Sequence, residues 1–282
     1  MNRIYQIYSI LHHHHGPQGW WPLINDKTLL CEYHKNAPNN KVEQFEIIIG
    51  CILTQNTQWY PNVVRAIQQL KLGRQLTKNE LEVLKEAENN RVEIFKNNKV
   101  ITKHKILTQN TSWKNVEKAL NNLRDADIIS PEKILQSNKN RLAKLIRPSG
   151  YYNQKAERLK IVAGFFLENT HLENMPVSSL REKLLSVNGI GPETADSIIL
   201  YAFRKPVFVI DTYTKRIFSR LGLCSKDIDY HSLQDLFHAN LEKNTPIYNE
   251  YHALIVELAK RHCSKTPVCN FCPLMKICRK SL

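Results

Sequence analysis

The chain has 282 residues, of which 42% are hydrophobic and 23% are charged, as in an ordinary globular protein of one or two domains. Its net charge of +14 and its pI near 9.4 favour a polyanionic partner such as nucleic acid, with an acidic membrane surface as the second choice. The sequence contains no apolar run of about 18 residues that would span a bilayer, and its N-terminus lacks the apolar core of a signal peptide. We therefore expect an intracellular protein that does not enter a membrane.

Apolar residues recur at helical spacing through most of the chain and predict an all-α fold. The first such pattern contains Ile4, Ile7 and Leu11, and a later one contains Leu180 and Leu184. The one run typical of a strand is PVFVID at residues 206–211. It ends at Asp211, a residue type that caps helix N-termini, directly before the amphipathic stretch TYTKRIFSRLGL.

One segment of the sequence is present twice: ILTQNTQW at 52–59 recurs as ILTQNTSW at 106–113. Two interpretations are open, a duplicated amphipathic helix that packs twice or an insertion bounded by a duplicated end. The charged stretch between the copies favours the second interpretation. We expect residues from about 58 to 105 to form an exposed insertion, and two copies are too few for a solenoid.

Four of the seven cysteines lie close together near the C-terminus, at Cys263, Cys269, Cys272 and Cys278. Zinc usually takes its thiolates from two CxxC-like pairs, and only one such pair is present here. Four cysteines in a short wrap are typical of a cubane iron–sulfur cluster. We therefore expect a 4Fe-4S cluster at these four residues, with zinc as the alternative.

The stretch GIGPETA at residues 189–195 predicts a main-chain turn that leads into a helix. Gly189 and Gly191 allow a close approach of the backbone, and Pro192 suits the first position of a helix. Main-chain N–H groups at a helix start bind phosphate, which makes both glycines candidates for gripping a DNA backbone. Glu193 places an acid in this first turn, where it can simply stabilise the helix.

Together these features resemble the endonuclease III branch of the helix-hairpin-helix (HhH-GPD) DNA glycosylases. VNGIGPETADSIILYAF at 187–203 is similar to the family's hairpin and following helix, and Asp211 in VFVIDTY matches its catalytic aspartate. The C-terminal stretch AKRHCSKTPVCNFCPLMKIC is similar to the family's 4Fe-4S loop. Three further stretches, GPQGWWP at 16–22, FEIIIGCILTQNT at 45–57 and RPSGYYNQKAERLK at 147–160, are similar to the subgroup of 3-methyladenine DNA glycosylase III and the endonuclease III-related proteins.

The resemblance implies two helical lobes. One is a helical barrel formed by residues 39–205, which contains the helix-hairpin-helix at about 184–203 and the insertion at about 58–105. The other combines residues 1–38 with residues 206–262, and residues 263–282 form the cluster loop. Duplex DNA with a damaged base would lie across the cleft between the lobes, and the protein would be a monomer.

The resemblance also implies the chemistry. Bifunctional members carry a lysine at the position of Glu193, and its amine attacks the sugar before the strand breaks. Since a glutamate cannot form a Schiff base, we expect a monofunctional DNA glycosylase that uses water and leaves an abasic site. Asp211 would stabilise the cationic sugar or activate the water.

By the same resemblance, the base pocket would contain Trp20, Trp21 and Phe45, which would hold a flipped alkylated purine such as 3-methyladenine. Either Gln55 or Gln109 would fill the gap that the flipped nucleotide leaves. Two alternatives stay open. One is a relative that removes uracil, mismatched thymine or oxidised pyrimidines, and the other is a non-catalytic iron–sulfur protein that only binds DNA.

Overall fold

The computed structural model describes residues 2–33, 37–56, 62–96 and 128–279, with the backbone alone for 88–96. Helices dominate these residues, as the sequence predicts. The helices are α1 (Arg3–His15), α2 (Lys41–Leu53), α3 (Val64–Leu72), α4 (Lys78–Lys96), α5 (Pro131–Gln136), α6 (Lys139–Leu145), α7 (Tyr152–Glu168), α8 (Val177–Leu185), α9 (Pro192–Ser197), α10 (Thr212–Arg220), α11 (Tyr230–Asn240) and α12 (Thr245–Arg261). A π-helical turn, Ile198–Ala202, continues α9.

Two short strands, β1 (Leu23–Ile24) and β2 (Cys31–Glu32), pair antiparallel with Leu23 opposite Glu32. None of the helices in the described ranges is both long enough and apolar enough to cross a bilayer.

The chain divides into two compact units. The C-terminal unit consists of Met1–Trp21, Tyr33–Asn40 and His171–Leu282, and the central unit consists of Pro22–Glu32 and Lys41–Thr170. The predicted lobes divide the chain instead between residues 205 and 206. The helix-hairpin-helix region belongs to the C-terminal unit because α8 packs on α9 and the π-helical turn packs on α12.

The central unit is built around α2, α3 and α7. Every residue of α2 from Phe45 to Leu53 is buried, and α3 packs beside it with Ala66, Ile67 and Leu70 fully shielded from solvent. Such burial on all sides identifies both helices as core elements of this unit.

The burial of α3 contradicts the predicted exposed insertion at about 58–105, at least for this helix. Two of its amides are buried and hydrogen-bonded to main-chain carbonyls, Gln68 to Leu29 at 2.7 Å and Gln69 to Leu145 at 2.5 Å. The prediction was wrong here because it rested on the charge of the whole stretch. The charged residues lie mainly after α3, and α3 itself is a buried helix at the start of the stretch. The second ILTQNT copy lies outside the described residues.

The core of the C-terminal unit contains a group of aromatic rings. Phe208 stacks on Phe237 with ring centroids 3.9 Å apart, and Phe218 and Tyr251 pack around this pair. Phe208 lies in the PVFVID run, in which residues 207–210 are buried but do not form a strand.

The PVFVID run needs no partner strand because side chains of α11 take over its main-chain hydrogen bonds. Phe208 donates its N–H to His238 Nε2 at 3.0 Å, and its carbonyl accepts from Gln234 at 2.6 Å. Further along, Ile210 donates its N–H to the Tyr230 hydroxyl at 3.4 Å. These bonds fix the segment that leads directly to Asp211.

Candidate active site

Asp211 is the N-cap of α10, as the sequence predicts. Its Oδ1 accepts hydrogen bonds from the backbone N–H and from the hydroxyl of Thr214, each at 2.7 Å. Burial by itself raises the pKa of Asp211, but His252 and then Thr214 outweigh it, so that the pKa lies below its usual value. Asp211 is therefore an anion at neutral pH although only 12% of its side chain is exposed.

His252 of α12 lies near Oδ2 of Asp211, the carboxylate oxygen that does not bind Thr214. Its Nδ1 lies 2.5 Å from the Tyr201 hydroxyl, and its Nε2 lies 3.7 Å from Asp211 Oδ2. The second distance is longer than a hydrogen bond. Tyr201 belongs to the π-helical turn, a feature that frequently marks functional sites. Three elements of the C-terminal unit thus place side chains around one carboxylate.

Glu193 lies in the first turn of α9, where the sequence places it. The residue is solvent-exposed, but protein atoms surround its carboxyl group. This burial, and then the negative charge of Asp211, raise the pKa of Glu193 to about 7, while His252 acts in the opposite direction. The site therefore contains two acids with opposite pKa shifts, an arrangement that separates a permanent anion from a group able to exchange protons near neutral pH.

Gly189 and Gly191, which are predicted to bind the DNA backbone, have different main-chain conformations. Gly189 has a φ of 90°, in the region that favours glycine. Gly191 is the N-cap of α9 with a φ of −94°, and a Cβ added there would meet no atom within 4 Å. The main chain at Gly191 is therefore open on the side where a side chain would project.

Asp196 was not identified from the sequence, but its hydrogen bonds stabilise the elements that carry the site. It is fully buried and accepts from Arg181 Nε at 2.7 Å, from the Tyr230 hydroxyl at 2.8 Å and from Gln234 Nε2 at 2.8 Å. The last two residues also hydrogen-bond the PVFVID segment. Asp196 is thus a structural acid that links α9 to the segment carrying Asp211.

The two predicted pocket tryptophans differ in exposure. Trp21 is buried, with 5% of its surface exposed, and its ring centroid lies 5.0 Å from that of Tyr201. Trp20 is half-buried, 6.4 Å from the His252 ring, and Lys260 Nζ lies 5.8 Å from its ring centroid. Burial lowers the pKa of Lys260, with Glu257 opposing the shift. Of the two tryptophans, Trp20 is therefore the one with an accessible ring.

The loop before Trp20 is tied to α12 through its main chain. Gln18 and Gly19 donate their N–H groups to the Glu250 carboxylate at 2.6 and 3.4 Å. Glu250 and His252 lie on the same helix, so α12 positions both Trp20 and the imidazole beside Asp211.

The remaining predicted binding residues lie in the central unit or outside the described residues. Phe45 is buried in α2, and its ring centroid lies 6.3 Å from that of Phe166. Gln55 follows α2 and accepts a hydrogen bond from Arg158 at 2.5 Å. Gln109 lies outside the described residues.

The four C-terminal cysteines follow α12 in one loop and are half-buried. Arg220 donates hydrogen bonds to Cys263 Sγ at 3.3 Å and to the Ser264 carbonyl at 2.7 Å. Burial raises the pKa of Cys272, and the charges of the other three cysteines raise it further. These thiols therefore lie near enough to interact electrostatically.

In the part of the chain that the structure describes, no three His, Cys, Asp or Glu side chains form a group that could hold one metal ion. The ligands of a single zinc ion all lie within about 2.3 Å of one point. Four cysteine thiolates in one loop are the ligand set of a cubane iron–sulfur cluster, so the donor chemistry of this loop fits such a cluster.

Sequence reasoning missed His252, Tyr201 and Lys260. The available signal was polar side chains in apolar helices, since His252 stands in the run YHALIVELA and Tyr201 in IILYAF. A buried polar group in such a run needs a partner, but the sequence does not reveal that the partner is Asp211.

The chain is similar in sequence to proteins of base excision DNA repair. Residues 104–243 match the family described as HhH-GPD superfamily base excision DNA repair protein. Over 179 residues the chain is 50% identical to a Methanocaldococcus jannaschii protein whose name describes it as a DNA repair glycosylase, covering 61% of the chain and 81% of that protein. It is also 30% identical over 175 residues to endonuclease III of Sulfolobus acidocaldarius, covering 62% and 78% of the two chains.

Two solved structures extend the likeness to the fold. The H. pylori 3-methyladenine DNA glycosylase bound to 1,N6-ethenoadenine is similar with a TM-score of 0.53 and 27% identity, covering 94% of this chain and 99% of that chain. An endonuclease III–DNA complex is similar with a TM-score of 0.58 and 17% identity, covering 99% and 97%. The second likeness concerns the fold alone.

Proposed function

Since the chain belongs to the endonuclease III-like branch of the HhH-GPD superfamily of base excision DNA repair proteins, we propose that it is a monofunctional glycosylase for alkylated purines in duplex DNA. The observation that carries this proposal is the pair of acids beside His252. Asp211 is a permanent anion, and Glu193 occupies the position at which bifunctional relatives have a lysine.

The proposed reaction needs only these groups and water. Breaking the N-glycosidic bond builds positive charge on the sugar, and the Asp211 carboxylate stabilises this charge. The base departs with the electrons of the broken bond, water adds to the sugar carbon and releases a proton to solvent, and an abasic site remains. Glu193 has no nucleophilic amine, so the strand stays intact after base release.

The proposed substrate class rests on Trp20 and on one relative. The half-exposed Trp20 ring offers a face on which an extruded base can stack. The H. pylori glycosylase, at 27% identity, is named for 3-methyladenine and holds an etheno-adenine, also a modified purine. Trp21 would support this pocket from a buried position.

DNA binding is proposed to use the main chain at Gly189 and Gly191, together with Gln55 or Gln109 at the gap left by the flipped base. The open side of Gly191 supports this role, since a phosphate needs access to main-chain N–H groups. The net charge of +14 supports the attraction of the DNA backbone.

A 4Fe-4S cluster is proposed as the cofactor, held by Cys263, Cys269, Cys272 and Cys278. When bound, the cluster supplies four cross-links that fix the C-terminal loop. Arg220 already joins this loop to the end of α10 through the bonds to Cys263 and Ser264. Brown protein with iron and sulfide in a ratio of four to four is expected, and colourless protein with one zinc would contradict the cluster.

The test of the function is base release from a panel of duplexes that contain 3-methyladenine, 1,N6-ethenoadenine, uracil, thymine opposite guanine or an oxidised pyrimidine. We expect release of the modified purines, with strand breaks only after alkali and no adduct trapped by borohydride. Asp211→Asn is the matched inactive control.

Two results would contradict the proposal in different ways. Strand breaks without alkali and a trapped adduct would show that another amine attacks the sugar. Release of pyrimidines alone would move the substrate to the alternative class, and release of no base by folded protein would favour a DNA-binding role.

A further inference from the structure

We propose that His252, oriented by Tyr201, is a positioning residue that holds Asp211 as a fixed carboxylate during cleavage of the glycosidic bond. This inference rests on the proposed function, since it concerns how Asp211 performs it. It follows from the geometry of three side chains on three elements of the C-terminal unit.

The contact between Tyr201 and His252 determines where the imidazole carries its proton. The Tyr201 hydroxyl lies 2.5 Å from Nδ1, and Tyr201 is 1% exposed. Because the Asp211 carboxylate near Nε2 can only accept, the neutral imidazole is favoured with its proton on Nε2, and the Tyr201 hydroxyl then donates to Nδ1. When the imidazole is charged, both nitrogens carry protons. In either state Nε2 is a donor.

This donor points at Asp211. Nε2 lies 3.7 Å from Asp211 Oδ2, and within the described ranges it has no hydrogen-bond partner. A buried N–H without a partner is costly, so a shift of less than 1 Å that closes this gap is favourable. Hydrogen bonds in active sites are often long before substrate binds and tighten afterwards.

With that bond closed, donors surround both oxygens of Asp211. Oδ1 already accepts two bonds from Thr214, and Oδ2 accepts from His252. A carboxylate held in this way is a weak proton acceptor and a well-placed negative charge. Asp211 therefore acts by stabilising the cationic sugar and not by taking a proton from water.

Two other charged groups among the described residues lie close to this part of the site. Glu193 approaches from α9 with the same charge as Asp211 and acts against its ionisation. From α12, Lys260 lies over the Trp20 ring, whose centroid lies 6.4 Å from that of His252. His252 lowers the pKa of both acids and so acts against this repulsion.

The test compares two replacements of the same imidazole at pH 8, where Glu193 is ionised. Asn places its amide near Nδ1 and keeps the Tyr201 contact but cannot reach Asp211, whereas Gln places an N–H near Nε2. We expect His252→Asn to lower kcat by about tenfold with unchanged DNA affinity, since it loses one donor to a catalytic charge. His252→Gln should recover most of this loss.

The pH dependence gives a second, independent measurement. In a protein that also carries Glu193→Gln, the fall in rate at low pH (the acid limb of the rate profile) reflects protonation of Asp211 alone. Adding His252→Asn removes the group that contributes most to lowering the Asp211 pKa, so this limb should move to higher pH. A merely structural role for His252 would lower the rate without moving the limb.

Tyr201→Phe removes the hydroxyl and leaves His252 in place, so we expect a smaller shift in the same direction. Tyr248→Phe is its matched control, because Tyr248 is also a buried tyrosine and its hydroxyl has no partner among the described residues. Thermal midpoints of all variants show whether each one is folded.

The inference fails if folded His252→Asn and Tyr201→Phe proteins retain the wild-type kcat and acid limb. That outcome leaves the proposed function standing as long as Asp211→Asn is inactive. An active Asp211→Asn protein would instead overturn the proposed function itself.

Discussion

The starts of α9 and α10 each carry an acid, but the two acids have opposite electrostatic surroundings. At the start of α10, Asp211 is the N-cap and accepts two bonds from Thr214. At the start of α9, Gly191 is the N-cap without a side-chain bond, and Glu193 follows two residues later. The pKa of Asp211 lies below its usual value, whereas that of Glu193 is raised to about 7.

The difference shows that a helix N-terminus alone does not decide the ionisation of an acid. The helix dipole favours the anion at both starts, by about 0.3–1 kcal/mol at an exposed end. Direct donors and a neighbouring imidazole add to this effect at Asp211. At Glu193, burial and the charge of Asp211 overcome it. Four predictions test this contrast.

The largest expected effect is that of Asp211→Asn. An amide has the shape of the carboxylate but no charge, so excision should fall by about 10³-fold or more, which corresponds to ~4 kcal/mol of transition-state stabilisation. Single-turnover base release measures the loss. Glu193→Gln is the matched control at the other helix start and should stay active. Equal losses in both variants would contradict the division of roles.

The second prediction concerns the two tryptophans near Asp211, which should affect different properties. Trp20→Ala removes a half-exposed ring and should lower release of modified purines by roughly 10–100-fold, with little change in thermal stability. Trp21→Ala removes a buried ring and should destabilise the fold by about 3–5 kcal/mol. If Trp20→Ala released bases at the wild-type rate, Trp20 would not contact the base.

The third effect concerns Glu193 and pH. Its pKa of about 7 means that the side chain loses its charge as the pH falls through neutrality. The site then has one negative charge fewer beside the cationic sugar, so excision should slow by up to about tenfold between pH 8 and 6. Glu193→Gln should be flat over this range and resemble the wild type at the lower pH. A wild-type profile without this limb would show that Glu193 does not influence the reaction.

The sequence allowed prediction of both helix starts but not of their surroundings. Residue types determine caps locally, so Asp211 before α10 and Pro192 with Glu193 in α9 lie where they were predicted. His252 comes from 41 residues beyond Asp211, and its approach depends on how α12 packs. A single sequence holds no local signal for such a contact.

The two wrong predictions have the same physical origin. PVFVID has the composition of a strand, but side chains of α11 satisfy its main chain, and α3 stands in a charged stretch but is buried by tertiary packing. Tertiary partners override local preference in both cases. The short pair β1 and β2 escaped prediction because two residues give no periodic pattern.

The smallest expected effects come from the two N-cap regions. One variant should lower the free energy of unfolding, and the other should lower the DNA affinity. Thr214→Val keeps the volume of a fully buried side chain but removes the hydroxyl that donates to Asp211, so the free energy of unfolding should fall by about 1–2 kcal/mol. Gly191→Ala adds a methyl group that meets no atom within 4 Å at a φ of −94°, so stability should change by no more than ~0.5 kcal/mol.

DNA affinity should show the reverse order, because the added methyl group of Gly191→Ala occupies the space through which a phosphate would approach the main chain. Thr214→Val changes no exposed surface and should bind undamaged DNA as the wild type does. Urea unfolding and fluorescence anisotropy on the same preparations measure both quantities. Unchanged DNA affinity in Gly191→Ala would remove this helix start from the DNA interface and leave Glu193 as its only functional group.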